Sequence, residues 1–337
     1  MAYPTKADWL AGTIEEAIDP NEEIVDPHHH LWEHPDSTYL VPELHADTGA
    51  GHNVVQTVFV ECGSEYLADG PEHMRPVGEA SFVADQARQS EAAGGAVIAG
   101  IVTFADLTLG DAVEEVLAEH DRRGEGRFRG IRHASAEDPS PAIRQSHTRP
   151  PAGLLGHDDF RAGFVKLGEM GFSFDAWMFH PQVTELVDLV ATHPGTPVVL
   201  DHVGGPLGIG PYADRRDEVR SVLRPALESL AAHEHVTVKV GGIGMSIYGA
   251  GMHKLDKAPS SEQVAEIWAD DLRFVIDTFG PSRCMFESNF PVDKQGCSYT
   301  VLYNTFQRVA DAGGYTPSER ADLFAGTARR FYRLDTP

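Results

Sequence analysis

The chain has 337 residues, 42% of them apolar and 23% charged, and carries a formal net charge of −24. That length accommodates one large domain or two small ones, and the apolar content excludes a disordered chain. So acidic a surface repels polyphosphate, which excludes nucleic acid and anionic membranes as partners.

From the N-terminus, residues 1–23 carry Lys6 as their only base and lack the apolar centre of a signal peptide. They are expected to form an N-terminal extension, with one domain over 24–337. No apolar run approaches the ~18 residues of a membrane span. The three cysteines, Cys62, Cys284 and Cys297, are too scattered for a disulfide framework or zinc ribbon. A reducing, cytoplasmic setting is expected.

Short apolar runs predict strands at 24–28, 54–61, 97–103, 128–133, 172–177, 198–202, 236–240 and 284–289. They recur at about 37 residues per unit, enough for strand, loop and helix. Eight such units predict an α/β fold, a distorted (β/α)8 TIM barrel in a single domain with long loops after some strands. Between the strands, Val113, Val116, Leu117 and His120 share one helical face, as do Val183, Leu186, Val187 and Val190. Ser260 with Gln263, and Thr316 with Pro317 and Glu319, are capping boxes that start two late helices. Three connections, 31–53, 135–158 and 241–259, exceed ordinary loop length, and all follow strands. In a parallel barrel they gather at the C-terminal mouth as walls or lids of a site.

Three segments carry the chemistry. Asp26-Pro27-His28-His29-His30 ends the first strand, where alternation puts His28 and His30 on one face and turns His29 away. Asp201-His202-Val203-Gly204-Gly205-Pro206 follows an apolar run and brings a third histidine to the mouth. Cys284-Met285-Phe286-Glu287-Ser288-Asn289-Phe290-Pro291-Val292-Asp293 closes the eighth strand, with Glu287 one layer below Asn289. A carboxylate inside a barrel needs a partner, and Lys239 on the seventh strand is the expected one. Three histidines without an aligned acidic ligand suit an open mononuclear site, so His28, His30 and His202 are candidate ligands of a divalent metal, zinc by donor chemistry.

Together these segments resemble the amidohydrolase superfamily, in its amidohydrolase 2 branch of metal-dependent-hydrolase-like lactonases. The resemblance runs from about Ile24 to Leu334. It also takes in Phe128-Arg129-Gly130-Ile131-Arg132-His133, Phe172-Ser173-Phe174-Asp175-Ala176-Trp177 with His180-Pro181-Gln182, and Val238-Lys239-Val240-Gly241-Gly242. It implies a barrel that hydrolyses a cyclic ester, as in sugar-acid lactonases and the 2-pyrone-4,6-dicarboxylate lactonase. It maps the paired histidines to His28 and His30 and the later one to His202. Where that family carries an aspartate after serine as general base, this chain has Ser288-Asn289-Phe290-Pro291. An amide does not titrate near neutrality, so Asn289 cannot take a proton from water.

The expected chemistry is water attack on a lactone or similar carbonyl, with His28, His30 and His202 polarising its oxygen directly or through one metal ion. Asp175 on the fifth strand is the first candidate for the proton acceptor; Glu287, Asp293 and a histidine are the others. Asn289 orients water or substrate. Arg132, Trp177, Lys239 and Asp293 are expected to bind substrate, Arg132 by a two-point hydrogen bond to a carboxylate. The expected partner is a small molecule, and a homo-oligomer stays open. Two alternatives remain: a metal-dependent decarboxylase of an aromatic or unsaturated acid, and a catalytically degenerate barrel that binds a ligand without turnover.

Overall fold

The computed structural model describes residues 7–336. Eight parallel strands form one sheet: β1 Glu23–His29, β2 Asn53–Val60, β3 Val97–Thr103, β4 Phe128–Arg132, β5 Ser173–Ala176, β6 Val198–Leu200, β7 Val236–Gly241 and β8 Cys284–Glu287. Each pairs with its neighbour in chain order. The sheet closes on itself where Asn289 N–H donates to His28 C=O at 2.9 Å and His30 N–H donates to Phe290 C=O at 2.8 Å. This is the (β/α)8 barrel that the strand spacing predicts.

Both faces of such a sheet are buried, so its strands read as nearly continuous apolar runs. Val25, Val58, Val60, Val102, Val199 and Met285 fill the lower interior, while Ile24, Phe59, Ile101, Val198 and Val238 face the helices. The interior is capped from below by Ala325, Ala328 and Tyr332 near the C-terminus. Helix Val113–Arg123 buries all four residues that its periodicity marked, and helix Val183–Thr192 buries Val183, Leu186 and Val190, with Val187 only partly buried. Both capping boxes form, at Ser260 and Thr316.

Two strands end two residues earlier than their apolar runs. β6 stops at Leu200 because His202 and Val203 take left-handed backbone, φ 54° and 51°. β8 stops at Glu287 because Asn289, φ 54°, turns the chain ahead of a cis Phe290–Pro291 bond. Such conformations are rare outside glycine, and those at His202 and Asn289 carry a polar side chain off the sheet at the mouth.

The extension expected over 1–23 lies partly outside the described residues. From Trp9 onward it crosses the outer helices: Glu15 accepts from Ser261 N–H at 2.7 Å and from Asn304 Nδ2 at 2.9 Å, and Ile18 N–H donates to Asn304 Oδ1. No helix among the described residues is long and apolar enough to cross a membrane.

Candidate active site

The three long connections do gather at the C-terminal mouth. They bound a cavity of about 230 Å³ with Trp32 and His34 from the first, Arg144 to His147 from the second, and Met245 and Ile247 from the third. Its floor is built from strand ends: His30, Arg132, Trp177, His202 and Asn289. The Trp177 ring stands edge-on to that of His202, 4.7 Å between centroids.

Below the floor lies a fully buried charged layer. Glu287 reaches His202 Nδ1 with one oxygen, at 2.7 Å, and lies 2.9 Å from His28 Nδ1 with the other. Lys239 Nζ pairs with Asp175 at 2.6 Å and Asp201 at 3.0 Å, and lies 3.0 Å from His28 Nδ1. Tyr332 donates to Asp175 from beneath, at 2.7 Å. The expected partnership of Glu287 with Lys239 is therefore replaced: Glu287 serves two histidines, and Lys239 serves two aspartates. Residues separated widely in sequence meet by their depth in the barrel, which strand alternation alone does not order. Two glycines make the arrangement fit, since a Cβ at Gly241 would lie 2.4 Å from Glu287 Cγ, and one at Gly242 would lie 2.7 Å from His202.

Burial sets the proton positions. It pushes His28 well below the ordinary histidine value, with Lys239 acting the same way, and pushes His30 down to about 3. Both rings are neutral at pH 7. Burial raises Asp175 to about 6 even beside Lys239. It would raise Asp201 too, but Lys239, His202 and Arg132 outweigh it and hold that carboxyl below its ordinary value.

The sequence-derived site residues divide by depth. His30, His202, Arg132, Trp177 and Asn289 line the cavity, with His28 just below, 3.3 Å from Arg132 through Nε2. Asp175 and Lys239 lie in the charged layer, fully buried and away from the cavity wall. Asp293 stands behind Asn289, accepting from its Nδ2 at 2.9 Å and from Gly244 N–H at 2.7 Å. His29 turns outward to Thr57 Oγ1 at 3.0 Å.

His28, His202 and Glu287 each offer a ligand atom within 4.8 Å of one another. Glu287 Oε2 is buried without a hydrogen-bond donor. Two imidazoles and a carboxylate with a spare oxygen fit a small divalent cation, zinc by chemistry. His30, the third histidine of the expected set, stands beside this group, with Nδ1–H donating to Val60 C=O at 2.7 Å and Nε2 3.2 Å from Asn289 Oδ1.

Two residues at the site escaped sequence reasoning. Glu61, directly after β2, is fully buried and accepts from Arg132 Nε at 2.8 Å. His147, on the second long connection, reaches the other Glu61 oxygen at 2.8 Å through Nε2. A carboxylate closing an apolar strand was the available signal for Glu61. Nothing local distinguishes His147.

The amidohydrolase family model matches residues 25–334. The chain is 28% identical to an L-fucono-1,5-lactonase of Burkholderia multivorans, over 93% of this chain and 97% of that protein. A solved amidohydrolase from B. multivorans with bound HEPES is similar at 25% identity and TM-score 0.70, over 93% of this chain and 99% of the other. One from the same organism with bound zinc is similar at 24% identity and TM-score 0.71, with the same coverage.

Proposed function

The chain belongs to the amidohydrolase family, and we propose that it is a hydrolase that opens a lactone ring by water attack, on a hydroxylated, sugar-acid-like substrate. The observation that carries this reading is the fixing of His202 by Glu287, which takes both its backbone N–H, at 3.0 Å, and its Nδ1, at 2.7 Å. The ring is thus held with Nδ1–H toward the carboxylate, which leaves Nε2 for a ligand at the cavity floor. The likeness to an L-fucono-1,5-lactonase over nearly the whole chain supports the choice of a cyclic ester.

The proposed roles follow from depth. The lactone ring lies against Trp177, and its carbonyl oxygen points to the floor, where Arg132 supplies a fixed positive charge to the developing oxyanion. Arg132 is held for this by Glu61, which engages its Nε and, through the backbone carbonyl, its NH2. His30 completes the floor and His28 lies just below it, both neutral. Asn289, braced by Asp293, orients the attacking water or a ring hydroxyl. Lys239 and Asp175 position the histidine layer from below and do not touch substrate. If a divalent cation binds, His28, His202 and the second oxygen of Glu287 would hold it, with the first oxygen kept on His202 Nδ1, and it would supply Lewis-acid polarisation of the carbonyl.

The test is a panel of 1,4- and 1,5-aldonolactones followed by proton release in weak buffer. Turnover of at least one that is lost in His202→Ala is the expected result. No turnover, with strong thermal stabilisation by one of the same compounds, would replace the reading with a ligand-binding barrel. Release of carbon dioxide from aromatic acids would replace it with a decarboxylase.

A further inference from the structure

Water attack on a lactone requires a group to take the water's proton, and few residues at the cavity qualify. Asn289 does not titrate. His30 is held neutral with a very weakly basic ring by burial. His202 has Nδ1 on Glu287, and its Nε2 is taken by the ligand at the floor in the lactone-hydrolysis reading. Asp175, Glu287 and Asp293 are absent from the cavity lining. His34, at the rim, stacks on Trp32 and makes no ion pair with a carboxylate among the described residues.

His147 differs from all of these. It lines the cavity, its side chain is 40% exposed, and its Nε2 lies 2.8 Å from the fully buried Glu61 carboxylate. The Glu61 charge at this distance favours the neutral ring with its proton on Nε2, which leaves the Nδ1 lone pair to accept a proton. The residues on either side are tied down: Ser146 N–H donates to Ala136 C=O at 3.3 Å, Thr148 Oγ1 donates to Ala134 C=O at 3.1 Å, and the two hydroxyls meet at 2.9 Å. The ring is thus held over the floor by the chain that follows β4.

We propose that His147 is the general base of this site, a catalytic residue supplied by the 135–158 connection, with Glu61 as its positioning residue. The proposal rests on the lactone-hydrolysis reading. As water oxygen bonds to the carbonyl carbon, its O–H bond breaks and the proton passes to His147 Nδ1, while the carbonyl π pair moves onto oxygen. Collapse of the tetrahedral adduct restores the carbonyl and breaks the ring C–O bond. The departing alkoxide takes the proton back from Nδ1, so base and acid are one residue. The groups facing His147 favour this. Glu61 raises its pKa above the ordinary histidine value against the effect of burial, Glu79 acts in the same direction, and Arg132 opposes them. His133 also interacts with it.

The experiment measures kcat and KM from pH 5 to 9 on a turned-over lactone for the parent, His147→Gln, His147→Ala and Glu61→Gln, each checked for folding by circular dichroism. A positioned general base is worth about 10² to 10⁴ in rate. The expected result is a loss of that size in kcat for both His147 variants with KM little changed, partial rescue of His147→Ala by added imidazole, and an acid limb in the parent that moves to lower pH in Glu61→Gln. Glu61→Asp, which keeps the charge, should restore the limb, and it stands in where Gln does not fold. Parent turnover with His147→Gln within about threefold and the limb unmoved would overturn the proposal alone. A parent inactive on every lactone would overturn the reading beneath it as well.

Discussion

Glu287 Oε1 accepts hydrogen bonds from both the Nδ1 and the backbone N–H of His202, so one carboxylate oxygen fixes ring orientation and chain position together. The residue it fixes has φ 54°, a backbone conformation that needs outside support. The contact is at once a structural clamp and the determinant of which imidazole nitrogen faces the cavity.

Replacing His202 by alanine should lower kcat/KM by about 10² to 10³, the usual effect of removing one oxyanion-stabilising group. Glu287→Gln keeps the shape but removes the charge. It should cost about 10- to 100-fold in activity or metal affinity, as losses behind a ligating histidine do. Zinc titration by calorimetry should show one site in the parent and none in His28→Ala. An unchanged isotherm in that variant would remove His28 from the ligand set.

Lys239→Met should destabilise the fold by about 3 to 5 kcal/mol, because it leaves Asp175 and Asp201 buried without their cation. Urea unfolding at pH 7 measures it. The loss should shrink when Asp175→Asn is added, since one of the stranded charges is then gone. Equal losses in the single and double variants would mean that the lysine acts by packing alone.

Glu79 offers a pH test. It is fully buried, and burial together with the charge of Glu61 raises it from the ordinary 4.5 to about 8. The fold therefore favours the protonated form, and the stability associated with Glu79 is complete below its ordinary value and falls as pH rises toward 8. Glu79→Gln should be no more stable than the parent at pH 4 and more stable, on the order of a few kcal/mol, at pH 8. A difference that does not grow with pH would place a charged Glu79 in the native state.

Asn289→Asp should not raise turnover. The new carboxyl would face Asp293 across the 2.9 Å now spanned by a hydrogen bond, and two carboxyls that close share one proton. A lower melting temperature and an acid limb still set by His147 are expected. Faster turnover with a new limb in the carboxylate range would instead make position 289 the seat of the base.

Much of this was legible in the sequence because it is local. Apolar runs and their spacing gave eight strands, alternation sent His28 and His30 inward and His29 outward, and length marked the three connections that wall the cavity. Depth was not legible. Glu287 and Lys239 both point into the barrel, and only the stagger of the strands decides that Glu287 rises to His202 while Lys239 meets Asp175 and Asp201. Pairing across a loop was equally hidden, since Glu61 and His147 have no periodicity that relates them. Where the chain leaves regular strand geometry, at His202 and Asn289, the apolar pattern overran the true strand end by two residues.

The barrel is fastened between its first and last strands at the level of the cavity floor, by the backbone bonds of His28 and His30 with Asn289 and Phe290. The residues that shape the floor are also the clasp of the ring. Loosening that clasp would disperse His28, His30 and Asn289 while the helices and the lower barrel remain packed. Inactivation by heat or denaturant should then precede loss of helical signal, with early hydrogen exchange at the His30 and Asn289 amides.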